Sequence, residues 1–463
     1  MSDTYKTFNK KSEEVSFDLN HRKTIQFNMG KYQNSFTKGK ALFGDLETAR
    51  QRAANIKMKV LNNLDQYLID FESNFEKNGG KVLWAEDKDE AIRLIQEIAH
   101  DNNVKSVVKS KSMTTEEVSL NEAFEEKDID VLETDLGEYI VQLAGEHPYH
   151  IVTPAMHKSR KDIQELFNKK FNKDLPDDPV VLTAFVRDLL RQKFTSADMG
   201  VTGANFLLAD IGGIAITENE GNAFMTYSWP KVHVALVGME KLLPSVDDLD
   251  LFWSLLSVHG TGQHLTSYNS VITGPKRESD IDGPEKMYVI LMDNGRSDLL
   301  AQSPQKRALS CIRCGACLNA CPVYKNIGGH TYDTTYSGPI GSVITPFLRG
   351  VKEYKHLSFA SSLCGACTEV CPVKIPLHEL LLFNRNHAVK NKHYTTIEKI
   401  GQKGAEYAFT HRSFMDITGG GMKNMFMKMF VKNAWGPRRE LPEMAKKSFS
   451  QMWKEKEKEK DKE

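Results

Sequence analysis

Apolar positions near the start of the chain follow a helical period. From Leu46 to Phe75 they recur every three or four residues, which predicts one face of a long helix. The positions that show this period are Ile56, Val60, Leu64, Leu68 and Phe71. The sequence NGG at 78–80 then predicts the end of the helix. Residues 1–43 are polar and weakly patterned, so we expect an N-terminal arm that either docks on the protein or stays mobile.

Short β-rich runs alternate with helical patterns from residue 81 to about residue 300. The predicted strands are KVLWA, VKSVVKS, DIDVLET, HIVTPA, VHVALVG and MYVILMD, and the predicted helices span 87–100, 115–126 and 158–168. This alternation predicts an α/β domain over residues 44–300, with a parallel or mixed sheet and helices on its faces. In FLLADIGGIAITENEG, Gly212 and Gly213 separate two apolar runs, which predicts a hairpin followed by a polar loop.

The rest of the chain has helical patterns without strand-like runs. Residues 301–390 predict an all-helical, ferredoxin-type module, and residues 391–463 predict a helical C-terminal region that ends in the charged tail KEKEKEKDKE. A Met and Phe face in this region predicts packing on the protein's own core or on a partner helix, with a membrane surface as the alternative. Its members are Met422, Met425, Phe426, Met429 and Phe430.

Composition and charge narrow the classes of function. The 463 residues suit two or three domains. A formal net charge of zero, without a basic stripe, argues against nucleic-acid binding. No apolar run reaches the length of about eighteen residues that a transmembrane helix needs, and the N-terminus has no apolar signal core. We therefore expect a cytoplasmic protein without a transmembrane segment.

All seven cysteines lie in two motifs, CIRCGACLNACP and LCGACTEVCP. In the first, gaps of two, two and three residues separate the cysteines, and a proline follows the last. Two-residue gaps let a turning backbone aim successive thiolates at one cubane cluster, and in two-cluster ferredoxins the last cysteine ligates the other cluster. This spacing predicts two iron–sulfur clusters, which we expect to be [4Fe-4S]. The first would be held by Cys311, Cys314, Cys317 and Cys371, and the second by Cys321, Cys364 and Cys367.

The second predicted centre is one thiolate short. Repeating the first spacing backward from Cys364 places Ser361 where the missing ligand would be. The sequence leaves three possibilities for the missing ligand of this centre: an oxygen or water ligand, a three-iron cluster, or a cysteine from a partner chain. Zinc knuckles rarely run three cysteines at two-residue gaps with a fourth before proline, and an odd number of cysteines argues against a disulfide framework.

Three polar loops of the α/β domain could hold a ligand, since strand ends commonly do so in such folds. One contains Asp135 and Glu138, a second contains His157, Lys158 and Arg160, and the third is the acidic segment ENEGN. The alternative interpretation is a helix cap for the two acids and a solvated helix face for the lysine and arginine. The sequence has no GxGxxG after a strand, no GxxxxGK[ST] and no HExxH, so no motif indicates a dinucleotide or triphosphate site.

Six stretches of the chain together resemble the lactate utilization protein B (LutB) family of bacterial iron–sulfur proteins. They are VVKSKSMTTEEV, ETDLGEYIVQLAGEHPYHIV, TENEGN, CIRCGACLNACPVY, IGGHTYDTTYSGPIG and SLCGACTEVCPVKIP. The resemblance implies that residues 80–300 form a LUD-type α/β domain similar to the NagB, RpiA and CoA-transferase group. It also implies a cytoplasmic role in oxidising L-lactate to pyruvate, with this chain passing electrons in a complex with LutA-type and LutC-type subunits. The family pattern has seven cluster cysteines too, so Ser361 is not a departure from it.

Three functions follow from these patterns. The main hypothesis is an electron-transfer subunit whose two clusters relay single electrons. The second is a catalytic α/β domain, because a glutamate just after a strand is the nucleophile of CoA transferases, and Glu218 or Glu220 would be its counterpart here. The third is a scaffold whose clusters are only structural. We expect no cofactor besides the clusters.

Overall fold

The computed structural model describes residues 2–413, 419–435 and 440–460. The chain forms two compact units, Met1–Asn391 and Lys392–Glu463. Within the first unit, the N-terminal helices, part of the α/β region and the cysteine module share one hydrophobic core. The elements described next therefore fix the position of the cysteines relative to the α/β loops.

The N-terminal arm is helical and docked. It consists of α1 (Asp3–Ser16) and α2 (Leu19–Lys40), which are capped by the side chains of Ser2 and Asp18. Its buried apolar side chains are Phe8, Ile25, Met29 and Phe36. The sequence left a docked and a mobile arm as alternatives, and the structure shows a docked one. A few widely spaced apolar side chains are buried and hold this otherwise polar segment in place.

The single long helix predicted after the arm is wrong, because the structure has two helices there. α3 (Leu46–Asn62) and α4 (Leu64–Lys77) meet at Asn63, whose φ of −137° is not helical and whose side chain donates to the Lys59 carbonyl at 2.9 Å. The break lets α3 pack on the segment before the first cysteine and α4 pack on the first strand. Both helices keep a buried face, so the apolar period continues through the break.

The α/β region contains two sheets. In chain order the strands are β1 (Lys81–Ala85), β2 (Ser106–Lys109), β3 (Asp130–Glu133), β4 (Met199–Thr202), β5 (Phe206–Leu208), β6 (Gly213–Glu218), β7 (Val232–Gly238), β8 (Leu242–Leu243), β9 (Tyr268–Ile272) and β10 (Lys286–Met292). The larger sheet is parallel throughout, in the order β1-β10-β7-β4-β2-β3, and the smaller has the order β8-β5-β6-β9. The predicted α/β class is confirmed, and β5 and β6 pair as the predicted hairpin.

Both faces of the parallel sheet are covered. Along β7, Val234 and Leu236 belong to one core, whereas Ala235 and Val237 belong to another, because successive side chains of a strand point to opposite faces. The helices of this region are α5 (Lys88–Asp101), α6 (Met113–Glu117), α7 (Leu120–Glu125), α8 (Leu136–Ala144), α9 (Arg160–Phe171), α10 (Pro179–Ser196), α11 (Asn222–Ser228), α12 (Leu249–Thr261) and α13 (Arg296–Ala301). Short 3₁₀ turns cover Met239–Lys241 and Val246–Asp248.

Two further predictions for this region are wrong. HIVTPA is an irregular loop instead of a strand, because Nδ1 of His150 lies 3.1 Å from the backbone N–H of Val152 and folds the segment on itself. The helix predicted over 115–126 is split into α6 and α7 at Ser119, whose φ is +56°. The strands β4, β8 and β9 and the helices α10 and α12 were not predicted.

The cysteine module is all-helical in its described residues, as predicted. A 3₁₀ turn, Gln305–Ser310, leads into the first cysteine. The helices that follow are α14 (Ala316–Ala320), α15 (Pro322–Ile327), α16 (Gly338–Arg349), α17 (Val351–Phe359), α18 (Ala366–Glu369) and α19 (Leu377–Lys390). α14 packs on α18, which brings the two cysteine motifs together.

The second unit is helical in its described residues. Its helices are Thr396–Thr410, Gly420–Phe426, a π-helical turn Met427–Val431, Lys432–Trp435 and Phe449–Lys460. The Met and Phe face lies on the second and third of these, and all five side chains are more than half exposed. Packing on the protein's own core, on a partner helix or on a membrane surface stays a prediction for this face. The charged tail is helical to Lys460, and its last three residues lie outside the described residues.

None of the described helices combines the length and the apolar character needed to cross a membrane.

Candidate metal centre and the adjoining pocket

The first cysteine motif forms a loop that turns its side chains inward. Arg313 and Gly315 have φ of +60° and +76°, so the backbone reverses twice between Cys311 and Cys317. The N–H of Arg313 donates to the sulfur of Cys311 at 3.4 Å. Amide donors of this kind stabilise a thiolate, and they influence the potential of any cluster that the thiolate binds.

Four of the seven thiols line one small cavity, which we call the thiol cavity. They are Cys311, Cys314, Cys317 and Cys371, the set assigned to the first centre. Aliphatic side chains complete the wall, among them Ile151, Ile340 and Leu377. The second motif reaches the cavity through Pro372 and through Cys371, whose sulfur accepts from the N–H of Ile375 at 3.4 Å. Four convergent thiols in an apolar, enclosed space fit the requirements of a cubane cluster.

Burial makes these positions unfavourable for a free thiolate. It raises the pKa of Cys314 and Cys317, and it raises the pKa of Cys371 to about 11. The negative charge of a neighbouring thiolate contributes in the same direction at each site. All seven cysteines are free of disulfides. The cysteine sulfurs are therefore available as metal ligands. A bound metal would provide the positive charge that stabilises the thiolates and that the apolar wall does not provide.

The remaining three thiols form a second group nearer the surface. Cys367 is buried, Cys321 is half-buried and Cys364 is exposed. Burial, together with the charges of Cys321 and Cys364, raises the pKa of Cys367 to about 11, so the three are close enough to interact. Cys371 thus lies with three cysteines of the first motif and Cys321 with two of the second, while the ligand sets themselves stay a prediction.

Ser361 occupies the position in the second motif that Cys311 has in the first. Each residue of the second motif lies fifty positions after its counterpart, and Leu363 and Gly365 repeat the positive φ values of Arg313 and Gly315. The Ser361 hydroxyl accepts from the N–H of Leu363 at 3.1 Å, as the Cys311 sulfur accepts from the N–H of Arg313. A hydroxyl therefore stands where the repeated loop would present a sulfur.

A larger cavity of about 300 Å³ lies between the α/β loops and the first cysteine loop. We call it the central pocket. Its α/β wall comes from the loops after β2 and β6, and the cysteine module contributes Arg313, Cys314 and Tyr336. Ile151, Arg313 and Cys314 line both cavities, so these residues form the wall between the central pocket and the thiol cavity.

Asp135 lies in the central pocket, but Glu138 does not. Asp135 caps α8 by accepting from the N–H of Glu138 at 3.0 Å, and its carboxylate is 3.7 Å from Nζ of Lys111. Glu138 is buried beside Glu133 and Lys109, and burial together with the Glu133 charge raises its pKa well above the usual range. The helix-cap interpretation of these two acids thus describes Asp135 correctly.

Glu218 and Glu220 both line the central pocket. The two carboxylate oxygens of Glu218 accept from the N–H groups of Ala223 and Phe224, at 2.7 and 2.8 Å, and so hold the start of α11. Glu220 is exposed at the rim. Glu218 is therefore already engaged by backbone, which does not suit a free nucleophile.

The basic residues of the second loop lie outside the central pocket. His157 and Lys158 both contact the carboxylate of Glu146 at 2.7 Å. Arg160 pairs with Asp177 at 2.5 Å. Arg160 is the first residue of α9 and its side chain is 57% exposed, which fits the interpretation of a solvated helix face, whereas Lys158 precedes the helix and its side chain is 16% exposed.

Sequence reasoning missed a group of buried cations beside the first cysteine loop. Its members are Lys57, Lys241, Arg296 and Arg313. Arg296 and Arg313 share the carboxylate of Glu240, at 2.7 and 3.2 Å, and Nζ of Lys57 donates to the Glu240 carbonyl at 2.7 Å. Only Arg313 had a sequence signal, since it lies inside the cysteine motif. The burial of the two lysines depends on tertiary contacts that periodicity does not reveal.

Comparison with known proteins agrees with both parts of this description. Residues 68–292 match the LUD domain, and residues 307–375 match the 4Fe-4S dicluster domain. The dicluster match, with the cysteine pattern, identifies two [4Fe-4S] clusters as the cofactors. Among solved structures, a DUF162 family protein from Deinococcus radiodurans has 12% identity and a TM-score of 0.29, covering 50% of this chain and 98% of its own.

Curated relatives cover nearly the whole chain. Proteins named lactate utilization protein B from Bacillus thuringiensis (strain Al Hakam), Bacillus cereus (strain AH187) and Bacillus anthracis (strain A0248) are each 44% identical over 423 residues. The match spans 89% of this chain and 89% of each relative. The chain therefore belongs to the lactate utilization protein B family, and its role is in lactate utilization and iron–sulfur electron transfer.

Proposed function

We propose that this protein is the electron-transfer subunit of an assembly of three different subunits, with LutA-type and LutC-type partners, that oxidises L-lactate to pyruvate. The observation that carries the proposal is the arrangement of seven thiols in two adjoining groups, one enclosed and one near the surface. Oxidation of one L-lactate to pyruvate releases two electrons and two protons. Two [4Fe-4S] clusters, each accepting one electron, match that stoichiometry.

The proposed ligands follow the two groups of thiols. Cys311, Cys314, Cys317 and Cys371 would hold the first cluster, and Cys321, Cys364 and Cys367 the second. The chain contributes ligation, an apolar wall around the first centre and amide donors to sulfur. Because Cys364 is exposed, we infer that the second centre faces the partner that gives or takes electrons.

Anaerobic purification with iron and sulfide quantitation tests the ligand assignment. Cys314→Ala should remove the first cluster's signal from the electron paramagnetic resonance spectrum and lower the iron content. Cys364→Ala should do the same for the second cluster. Ser310→Ala, next to Cys311, is the matched control and should leave both unchanged. A Cys314→Ala protein with an unchanged spectrum and iron content contradicts the assignment.

Reconstitution with the two partner subunits tests the relay. L-lactate should reduce the clusters of this chain only when all three subunits are present, whereas dithionite should reduce them in the isolated chain. Clusters that dithionite reduces but that L-lactate never reduces in the full assembly would contradict the proposed function. Clusters that neither agent reduces would support a structural role instead.

A further inference from the structure

The central pocket has features of a ligand site that the relay alone does not require. It is bounded on one side by polar α/β loops and on the other by Arg313 and Cys314. A molecule bound there would contact the loop that holds the first centre. Its volume of about 300 Å³ suits a small molecule rather than a nucleotide cofactor.

Lys241 is the most unusual residue of the pocket wall. Its side chain is 7% exposed, yet among the described residues its ammonium has no hydrogen-bond or ion-pair partner. Burying an ammonium without a partner costs several kcal/mol, which proteins rarely tolerate outside functional sites. Nη1 of Arg313 is likewise buried and has no hydrogen-bond partner in the described part of the chain.

The protein's own carboxylates do not balance the cations around this wall. Four buried cations, Lys57, Lys241, Arg296 and Arg313, adjoin only two buried carboxylates, those of Glu117 and Glu240. The carboxylate of Glu240 is fully used by Arg296 and Arg313. With a [4Fe-4S] core of charge 2+, the four thiolates of the first centre leave a net charge of 2−, which offsets this excess overall, and Cys311 interacts with Lys57, Lys241 and Arg313. Lys241 still faces the pocket, where an anion would complete its coordination.

The opposite wall supplies neutral hydrogen-bonding groups beside the carboxylates of Glu218 and Glu220. Thr217, Asn205 and Asn222 line the pocket there, and Lys111 is paired with Asp135. A small anion that also has a hydroxyl or carbonyl oxygen would use both walls, with its charge at Lys241 and its neutral oxygen at the amides and hydroxyl. A phosphate would need more than the one free ammonium and the single free guanidinium nitrogen.

We propose that the central pocket binds a short-chain carboxylate, held by an ion pair to Lys241 against the Arg313–Cys314 segment. The choice of a 2-hydroxy or 2-oxo acid within that class rests on the proposed function. The site would place such a molecule beside the first centre, with Cys314 between the two.

Calorimetric titration of the anaerobic holoprotein tests the site without any electron transfer. The probes are pyruvate, L-lactate and inorganic phosphate. Pyruvate or L-lactate should bind saturably, and Lys241→Gln should weaken that binding about 10- to 100-fold, since a charge-assisted contact is replaced by a neutral one. Lys231→Gln is the matched control, because its side chain is 79% exposed and lies outside the pocket.

A second variant blocks the pocket without touching the cations. Gly260 lines it, and a Cβ at that position would meet only the Cys314 carbonyl, at 3.7 Å. Gly260→Leu should therefore fold, keep its iron and sulfide, and lose carboxylate binding. This variant keeps the proposal testable if Lys241→Gln fails to fold.

Several outcomes would overturn the proposal. The first is that neither carboxylate binds saturably to holoprotein with full iron content, and the second is that phosphate alone does so. The third is that Lys241→Gln or Gly260→Leu binds the carboxylate as tightly as the parent protein. If Lys241→Gln changes the reduction potential of the cluster but the parent protein binds no carboxylate, the lysine acts on the cluster and the proposal is overturned. Carboxylate binding without lactate-dependent reduction would contradict the relay alone, and reduction without binding would contradict the pocket alone.

Discussion

Replacing Arg296 by methionine should destabilise the first unit, because this side chain joins three parts of it. The guanidinium bonds both carboxylate oxygens of Glu117 at 3.0 and 2.8 Å, and its Nε lies 2.7 Å from the carboxylate of Glu240. Tyr336 donates to Glu117 at 2.6 Å, and Arg313 contacts Glu240 at 3.2 Å. Both carboxylates therefore also bind the cysteine module, and Arg296 itself is 1% exposed.

The size of the effect can be approached by two routes. Removing one partner of a buried ion pair costs about 3–5 kcal/mol, because the remaining charge is uncompensated. Burial alone would raise the pKa of Glu240, but Arg296 and Arg313 lower it from 4.5 to about 2. A difference of that size corresponds to on the order of 3 kcal/mol. Because the folded pKa is the lower one, this stabilisation is present above about pH 4.5 and is lost as the pH falls toward about 2.

Urea unfolding of the anaerobic holoprotein at neutral pH, followed by far-ultraviolet circular dichroism, measures the loss. Arg187→Met is the matched control, since its side chain is 73% exposed and the expected change is within about 0.5 kcal/mol. Adding Glu240→Gln to Arg296→Met should recover part of the stability, because one uncompensated carboxylate disappears. A loss below about 1 kcal/mol, without recovery in the double variant, would refute the reasoning.

Three further predictions concern the centres and the fold. Ser361→Cys should complete the ligands of the second cluster, so iron retained per chain after exposure to air should rise; unchanged retention would argue against a ligand at this position. Glu218→Gln and Glu220→Gln should keep lactate-dependent electron transfer in the three-subunit assembly, whereas its loss with both clusters intact would favour a catalytic α/β domain. Gly212→Ala should lower the urea midpoint by the equivalent of about 1–3 kcal/mol, because its φ is +60° and a Cβ would lie 2.2 Å from the backbone nitrogen of Phe75; an unchanged midpoint would contradict this.

Much of the fold could be predicted because its signals are local. The buried strand VHVALVG is a continuous apolar run, and the glycine pair at 212–213 separates two such runs into a hairpin. The errors arose where one residue decides the backbone. Asn63 ends a helix without interrupting the apolar period, and Ser119 does the same at a positive φ. At HIVTPA, a hydrogen bond from backbone to the His150 ring overrides the β-branched composition.

The candidate site also has a part that local sequence signals predict and a part that they do not. Cysteine spacing is local, so the grouping of the thiols followed from the sequence. The central pocket is not local, because its wall combines Lys111, Glu218, Lys241 and Arg313 from four distant parts of the chain. A lysine in EKLLP has no signal of burial, and only the packing of α3 and the cysteine loop around Lys241 removes it from water. Residue type and spacing therefore predict metal ligands better than they predict a cavity.

The exchange of Cys321 and Cys371 between the motifs bears on how the protein matures. With the proposed ligation, the second centre has all its cysteines only when the ribosome has added Cys367, and the first only when it has added Cys371. The N-terminal helix α1, which is made first, packs on α15 and α17, and the Thr4 hydroxyl donates to the Glu353 carbonyl at 2.7 Å. The residues of α1 therefore make these contacts only after α15 and α17 have been synthesised. The first centre therefore cannot form until both cysteine motifs have been synthesised and packed together, because its proposed ligands come from both.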